Sequence, residues 1–249
     1  MSGNIEPRQI WIVLPTFNEA ENVIRMLQAI SAVADEPQIL VVDDDSPDGT
    51  GELVEGVSQN CSNVHVLHRR DERGLGTAYR AGFEHAFKSG AHAVLTMDCD
   101  FSHDPAVIPL MIENLSGADI VIGSRYVPGG RIENWPLRRK LLSASANSFV
   151  RMLFHMPAHD CTSGFRLYRR EILETVPWER VRSTGYSFLV ETLYWATRKN
   201  GVKVTEVPIC FANRVEGESK MGMREALDGM INLLRLKRHL RKDRSTGGV

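Results

Sequence analysis

Ile10-Trp11-Ile12-Val13-Leu14 is an unbroken apolar run, the pattern of a strand buried on both faces in a parallel sheet. It stops at Pro15-Thr16-Phe17-Asn18-Glu19, after which Val23, Leu27 and Ile30 recur at helical spacing. The alternation then repeats. Ile39-Leu40-Val41-Val42 predicts a second buried strand, and a helix through Leu53 and Val57 follows. Val64-His65-Val66-Leu67 reads as a third strand, and Arg73-Gly74-Leu75-Gly76-Thr77 opens a helix carrying Tyr79, Phe83 and Phe87. Ala93-Val94-Leu95-Thr96-Met97 and Ile120-Val121-Ile122-Gly123 are the fourth and fifth strands. Between them Pro105 suits the first turn of a helix near 108–115, with Asp104 as its cap. Such alternation implies right-handed crossovers and an α/β fold with a mostly parallel central sheet. Its ligands are expected at the carboxyl ends of the strands.

Those ends are acidic or otherwise polar in three places: Asn18-Glu19, Asp43 to Asp48, and Asp98 with Asp100. The period of a strand puts Asp98 and Asp100 on one face, where two hard oxygen donors can hold one divalent cation that bridges a diphosphate. Taken alone the pair is weak, because solvated loop carboxylates have the same spacing. Acids gathered at one sheet edge repel unless a cation or a donor-rich ligand pairs them. A turn is the alternative for Asp43-Asp44-Asp45-Ser46-Pro47-Asp48-Gly49-Thr50, which is made of turn formers and ends in a helix-capping sequence. The Gly74/Gly76 spacing fails the dinucleotide fingerprint and suits a tight start to the next helix, with phosphate binding as the lesser alternative.

Composition narrows the class. The 249 residues suffice for one large domain, or a domain with an appendage, and 43% apolar with 24% charged is ordinary for a soluble globular protein. A net charge of −1 gives no global attraction to nucleic acid, so an anionic ligand must be met by local basic clusters. Cys61, Cys99, Cys161 and Cys210 are scattered, which predicts reduced thiols in the cytoplasm rather than disulfides or structural zinc. Neither a signal peptide nor a membrane-spanning stretch is expected.

The motifs Pro15 to Glu19, Asp43 to Thr50, Arg73 to Tyr79, Met97 to His103 and Gly123-Ser124-Arg125-Tyr126 resemble, in this order, family 2 glycosyltransferases of the GT-A fold. Within that family they are similar to dolichyl- or polyprenyl-phosphate mannosyltransferases. Ser163-Gly164-Phe165-Arg166-Leu167-Tyr168 and Arg214-Val-Glu-Gly217-Glu-Ser219-Lys220 extend the likeness to about residue 222. The resemblance implies a catalytic domain over 1–222 and a basic amphipathic helix and tail over 223–249. It implies inverting transfer of mannose from GDP-mannose to a polyprenyl or dolichyl phosphate, with Mg²⁺ or Mn²⁺ as cofactor.

The resemblance also implies site residues. Pro15, Phe17 and Glu19 would line the nucleoside pocket beside Val42 and Asp44, a carboxylate suiting the paired donors of guanine. Asp98, Cys99 and Asp100 would meet the diphosphate and sugar, with the metal on Asp98, Asp100 and Ser102. Ser102 is shorter than the Gln of some members and would reach the ion through water. Cys99 replaces the usual Ala, and Phe17 the usual Tyr. Arg125, Arg214 and Lys220 would bind the nucleotide sugar, with Asp100, Arg125 and Arg214 catalytic. Arg125, Arg139 and Ser143 are assigned to the acceptor phosphate, the last two lying one helical turn apart. Arg supplies a bidentate fork for phosphate and Lys a point charge. Gly217 and Ser219 suit a loop that closes over the donor.

Two basic amphipathic stretches suggest contact with a membrane surface. Leu137–Met156 begins with Arg138, Arg139 and Lys140 just after Trp135, and carries Leu141, Leu142, Phe149, Leu153 and Phe154. Met223–Arg244 sets Leu227, Met230, Ile231, Leu234 and Leu240 along one side and ends in Arg235, Lys237, Arg238, Arg241, Lys242 and Arg244. Packing on the sheet with charges in solvent is the alternative for both. A lipid acceptor would require these helices or a separate membrane-anchoring subunit, placing the protein peripherally on the cytoplasmic face of a membrane. Competing readings are a UDP-sugar-dependent hexosyl transferase or one with a non-lipid acceptor. From other classes come a sugar nucleotidyltransferase and a non-catalytic binding module. The nucleotidyltransferase would carry a basic Gly-rich loop where Pro15 to Glu19 stand, and the binding module does not need every charged motif position filled.

Overall fold

Residues 6–212 and 232–238 are described by the computed structural model of the protein. The five apolar runs are strands: β1 (Ile10–Thr16), β2 (Gln38–Asp43), β3 (Val64–His68), β4 (Ala93–Thr96) and β5 (Ile120–Ser124). Between them lie α1 (Ala20–Val33), α2 (Thr50–Ser58), α3 (Leu75–Lys88) and α4 (Ile108–Asn114). Asp104 caps the turn before α4, its Oδ1 accepting the Ala106 N–H at 2.9 Å. In α2 the inward face runs Thr50, Gly51, Val54, so Leu53 turns outward and is 43% exposed.

The strands β3-β2-β1-β4 are parallel neighbours. Parallel pairing ends at β7 (Arg166–Arg169), which lies between β4 and β5 and runs antiparallel to both. β8 (Val204–Pro208) pairs parallel with β5 and completes a 7-stranded sheet. β6 (Arg131–Ile132) and β9 (Cys210–Phe211) form a separate two-stranded ribbon beside it. Alternate residues face opposite layers. Trp11, Val13, Leu40, Val42 and Val94 pack with α3, α5 (Leu137–Phe154), the short α6 (Arg170–Leu173) and α7 (Tyr186–Ala196). Ile10, Ile12, Leu14, Ile39, Val41 and Leu95 pack with α1, α2 and α4. Gly82 lets α3 lie close on the sheet, since a Cβ there would stand 2.5 Å from a Val13 methyl.

Residues 232–238 are helical and rest on the end of α5, with Leu236 buried and Lys237 Nζ donating to the Leu153 carbonyl. This corrects the expected apolar side of Met223–Arg244 at one point: Leu234 is 44% exposed, and the side chain that buries is Leu236. The remainder of that stretch lies outside the described residues. Among the described residues no helix is long and apolar enough to cross a membrane.

Where β1, β3 and α3 meet, Trp11 stacks on His65 with ring centroids 4.9 Å apart, and His85 lies tilted against Trp11 at 5.6 Å. Burial pushes both imidazoles below their usual 6.5, reinforced at His65 by His85 and at His85 by Lys88. The unfolded chain therefore takes up these protons at a higher pH than the fold does, and stability falls as pH drops below about 6.5. Melting temperature is expected to decline between about pH 7.5 and about pH 5.5, and a His65→Gln/His85→Gln variant to decline less. Parallel melting curves for the two proteins would remove the histidines as the cause.

Candidate active site

The carboxyl ends of β1, β2, β4 and β5 open on a cavity of about 680 Å³. Asn18, Asp45 and Phe101 follow three of those ends with φ of 60°, 58° and 60°. Asn and Asp tolerate the left-handed region, whereas a bulky Phe there stores strain of about 1 kcal/mol or more. The local reason is the turn on Asp100, whose Oδ1 accepts the Ser102 N–H at 3.0 Å and the Ser102 Oγ–H at 2.6 Å. Asp98, Asp100 and Ser102 all line the cavity. Cys99 lies between the two acids, and burial, with Glu19 and Asp100 nearby, pushes its thiol well above the ordinary 9.0.

At the end expected for a nucleoside, Pro15, Phe17, Glu19 and Asp44 line the cavity. Val42 does not: it is fully buried in the core, a methyl 3.3 Å from where a Cβ on Gly82 would stand. Asp44 anchors the loop before α3, with Oδ2 accepting the Gly74 N–H at 2.7 Å and Oδ1 2.9 Å from Arg69 Nη1. Gly74 needs its freedom here, because its φ is 132°. Burial raises the Asp44 pKa against the pull of Gly74 and Arg69. The turn reading accounts for two neighbouring acids. Asp43 accepts from Thr16 and Ser46, and Asp48 from Thr50 and Ala20.

Basic groups line the same cavity from beyond β5, Arg125 at the end of that strand and Arg139 on α5. Arg125 lines the cavity and is gripped by the fully buried Asp160, with Nε to Oδ2 at 2.7 Å and Nη2 to Oδ1 at 2.8 Å. Burial pushes the Asp160 carboxyl up, but the Arg125 charge and the hydrogen bonds it accepts outweigh that and hold it below the usual range. Arg139 also lines the cavity, its guanidinium 3.7 Å from the Trp135 ring centroid. Ser143 is not among the lining residues; its Oγ lies 2.8 Å from the Tyr126 hydroxyl. Arg214 and Lys220 lie outside the described residues.

Residues 11–176 match the sequence model of glycosyl transferase family 2. The chain belongs to this family. It is a glycosyltransferase, and its mostly parallel sheet flanked by helices is the GT-A arrangement. The polyprenol monophosphomannose synthase of Mycolicibacterium smegmatis is 41% identical over 240 residues, covering 96% of this chain and 90% of the relative. The undecaprenyl-phosphate mannosyltransferase of Micrococcus luteus is 38% identical over 227 residues, covering 91% of this chain and 93% of the relative. Among solved structures, glucosyl-3-phosphoglycerate synthase from Mycobacterium tuberculosis, in complex with Mn²⁺, UDP and glucosyl-3-phosphoglycerate, has a TM-score of 0.65. That match covers 92% of this chain and 80% of that one at 18% identity, a likeness of fold alone.

Among the described residues of the transferase, no group of three or more His, Cys, Asp or Glu side chains is placed to hold a metal. Asp98 and Asp100 offer the cavity carboxylate oxygens, the hard donors that Mg²⁺ and Mn²⁺ take, and two such residues would leave the other coordination positions to a bound molecule's oxygens and to water. Arg73, His103, Trp135 and Asp160 are among the residues of this site that sequence reasoning missed. Arg73 sits 5.0 Å from the Phe17 ring centroid on the loop that Asp44 anchors, and His103 and Trp135 line the cavity. Asp160 lies behind the wall, and no local pattern joins it to Arg125, 35 positions earlier. The signal available for His103 was its place at the end of the Asp98 motif.

Proposed function

We propose that the transferase moves mannose from GDP-mannose to a polyprenyl or dolichyl phosphate with inversion. The observation that carries this reading is that Asp98 and Asp100 share one cavity with Arg125 and Arg139. Such a cavity can hold a nucleotide diphosphate at its acidic, cation-binding part and a second phosphate at its basic part. The names of the relatives at 41% and 38% identity support the sugar and the class of acceptor.

Asp98 and Asp100 would hold Mg²⁺ or Mn²⁺, with Ser102 bracing Asp100. The cation, when bound, neutralises charge developing on the departing diphosphate. An acceptor phosphate oxygen is already anionic near neutral pH, so it attacks the anomeric carbon without a general base. The new C–O bond forms as the bond to the diphosphate breaks, the electron pair leaves with GDP, and in-line attack inverts the centre. Glu19 and Asp44 would meet the guanine donors, Arg125 and Arg139 the acceptor phosphate, and Arg214 and Lys220 the donor. The test is transfer of radiolabelled sugar from a panel of nucleotide sugars into organic-extractable lipid. Label from GDP-mannose is expected; label from UDP-sugars alone, or none in the organic phase, overturns the reading.

The lipid would be met from a membrane surface, with or without an anchoring subunit. On α5, Leu137, Leu141 and Met152 are 72%, 60% and 70% exposed, Arg138 and Arg151 are exposed among them, and the helix has no acidic residue. The helix starts two positions after the cavity-lining Trp135. A basic apolar face at the cavity rim suits the interface of an anionic bilayer. Leu137→Ser/Leu141→Ser should weaken sedimentation with phosphatidylglycerol vesicles by about 10²-fold or more, since each buried Leu side chain is worth about 1.5–3 kcal/mol. Transfer to a short, water-soluble acceptor phosphate should continue. Equal sedimentation of variant and wild type would assign membrane contact elsewhere.

A further inference from the structure

The register of β4 on β1 ends at Thr96 and Val13, and Met97 N–H still reaches the Val13 carbonyl at 3.4 Å. The next backbone donor, Asp98 N–H, lies beyond the ladder and needs an acceptor of its own. His103 supplies it: the Asp98 N–H donates to Nδ1 at 3.1 Å. A nitrogen that accepts carries no proton, so the neutral ring has its hydrogen on Nε2. The same Nδ1 lies 3.9 Å from Asp98 Oδ2 and gives that oxygen no proton. The histidine thus orients Asp98 without neutralising it. The ring is itself held, 1% exposed, stacked on Phe165 at 5.1 Å between centroids and edge-on to Phe211 at 5.6 Å.

We propose that His103 is a positioning residue whose unprotonated Nδ1 fixes the backbone of Asp98 and so aims the Asp98 carboxylate at the divalent cation. This rests on the metal reading of the proposed function. Ligand orientation by such outer hydrogen bonds is worth about 10–100-fold in metal affinity. Packing alone would make any ring of the right size sufficient at this position. The hydrogen bond instead demands an acceptor at one atom.

Two measurements on the full chain test it. Nitrogen-15 NMR of the metal-free protein should find the His103 proton on Nε2 and none on Nδ1. Calorimetric titration with Mn²⁺ in the presence of GDP reads the aim of the carboxylate. His103→Phe keeps a ring for Phe165 and removes the acceptor, and should raise the Mn²⁺ dissociation constant about tenfold or more. His103→Asn loses the ring but presents Oδ1 near the Nδ1 position, and should recover most of the affinity. A proton found on Nδ1, wild-type affinity in folded His103→Phe, or equal losses in both variants would each overturn the proposal. Should His103→Phe not fold, the tautomer and the Asn variant decide. A wild-type chain that binds no Mn²⁺ sinks the metal reading itself, which keeps the two failures apart.

Discussion

Asp100→Asn should lower turnover by about 10²-fold or more while leaving the melting temperature almost unchanged, and excess EDTA should abolish transfer. The asymmetry follows from what each atom of Asp100 does. Its Oδ1 accepts from the Ser102 N–H and Oγ–H, and an amide oxygen in the same place accepts both. The turn that carries Phe101 at a φ of 60° therefore keeps its support. What the amide cannot supply is the negative charge of the carboxylate, which in the proposed mechanism is the second anionic ligand for a cation against the diphosphate. Initial rates of sugar transfer with saturating Mn²⁺, read beside thermal melts, separate the effects. A variant that is slow because it is unfolded would show in the melt. Full activity in excess EDTA would sink the metal reading.

The strands most legible in the sequence were those whose burial is complete on both faces, because nothing polar interrupts them. Ile10 to Leu14 and Ile39 to Val42 are such runs, and every one of these side chains is at most 5% exposed. β7 could not be read that way. It is Arg-Leu-Tyr-Arg, yet both arginines are buried because the chain supplies carbonyls to them. Arg169 donates to Ala118 and Leu115, and Arg166 to Leu189 and Cys161. Those partners come from other elements, so no local period announces the strand. The same limit applied to the site. Asp98 and Asp100 line one cavity, but they do so from the bend after β4, which ends at Thr96, and not through the period of the strand; nor could spacing divide Asp43, Asp44 and Asp48 between turn and wall. That division depends on which donors, Thr16, Gly74 or Ala20, arrive from neighbouring elements. Val42 shows the converse: the family resemblance placed it beside the pocket, and the alternation of the strand turns it into the core.

Asp160→Asn should be the most destabilising single change at the site, lowering stability by about 3–5 kcal/mol because it leaves a buried guanidinium uncompensated. Arg125's side chain is 8% exposed and Asp160's is fully buried, so water cannot replace the lost partner. Asp160 also accepts the Arg125 N–H at 3.1 Å and the Ser163 N–H at 3.0 Å, which an amide serves with one oxygen only. For a chain of this size the fall in melting temperature should be roughly 10 °C. The pH dependence has a definite sign. The folded carboxyl is held below its usual value by Arg125, so its contribution is present above about pH 4 and is lost as pH falls through the folded value. Asp160→Asn should lack that acid-side loss. Activity distinguishes a structural pair from one that also serves the reaction. The double variant Asp160→Asn/Arg125→Leu removes the orphaned charge and should regain much of the lost stability. It should stay inactive if Arg125 meets phosphate in the cavity. Recovery of transfer along with stability would reduce the pair to scaffolding, and a single variant that melts like wild type would show that Asp160 does not hold Arg125 at all.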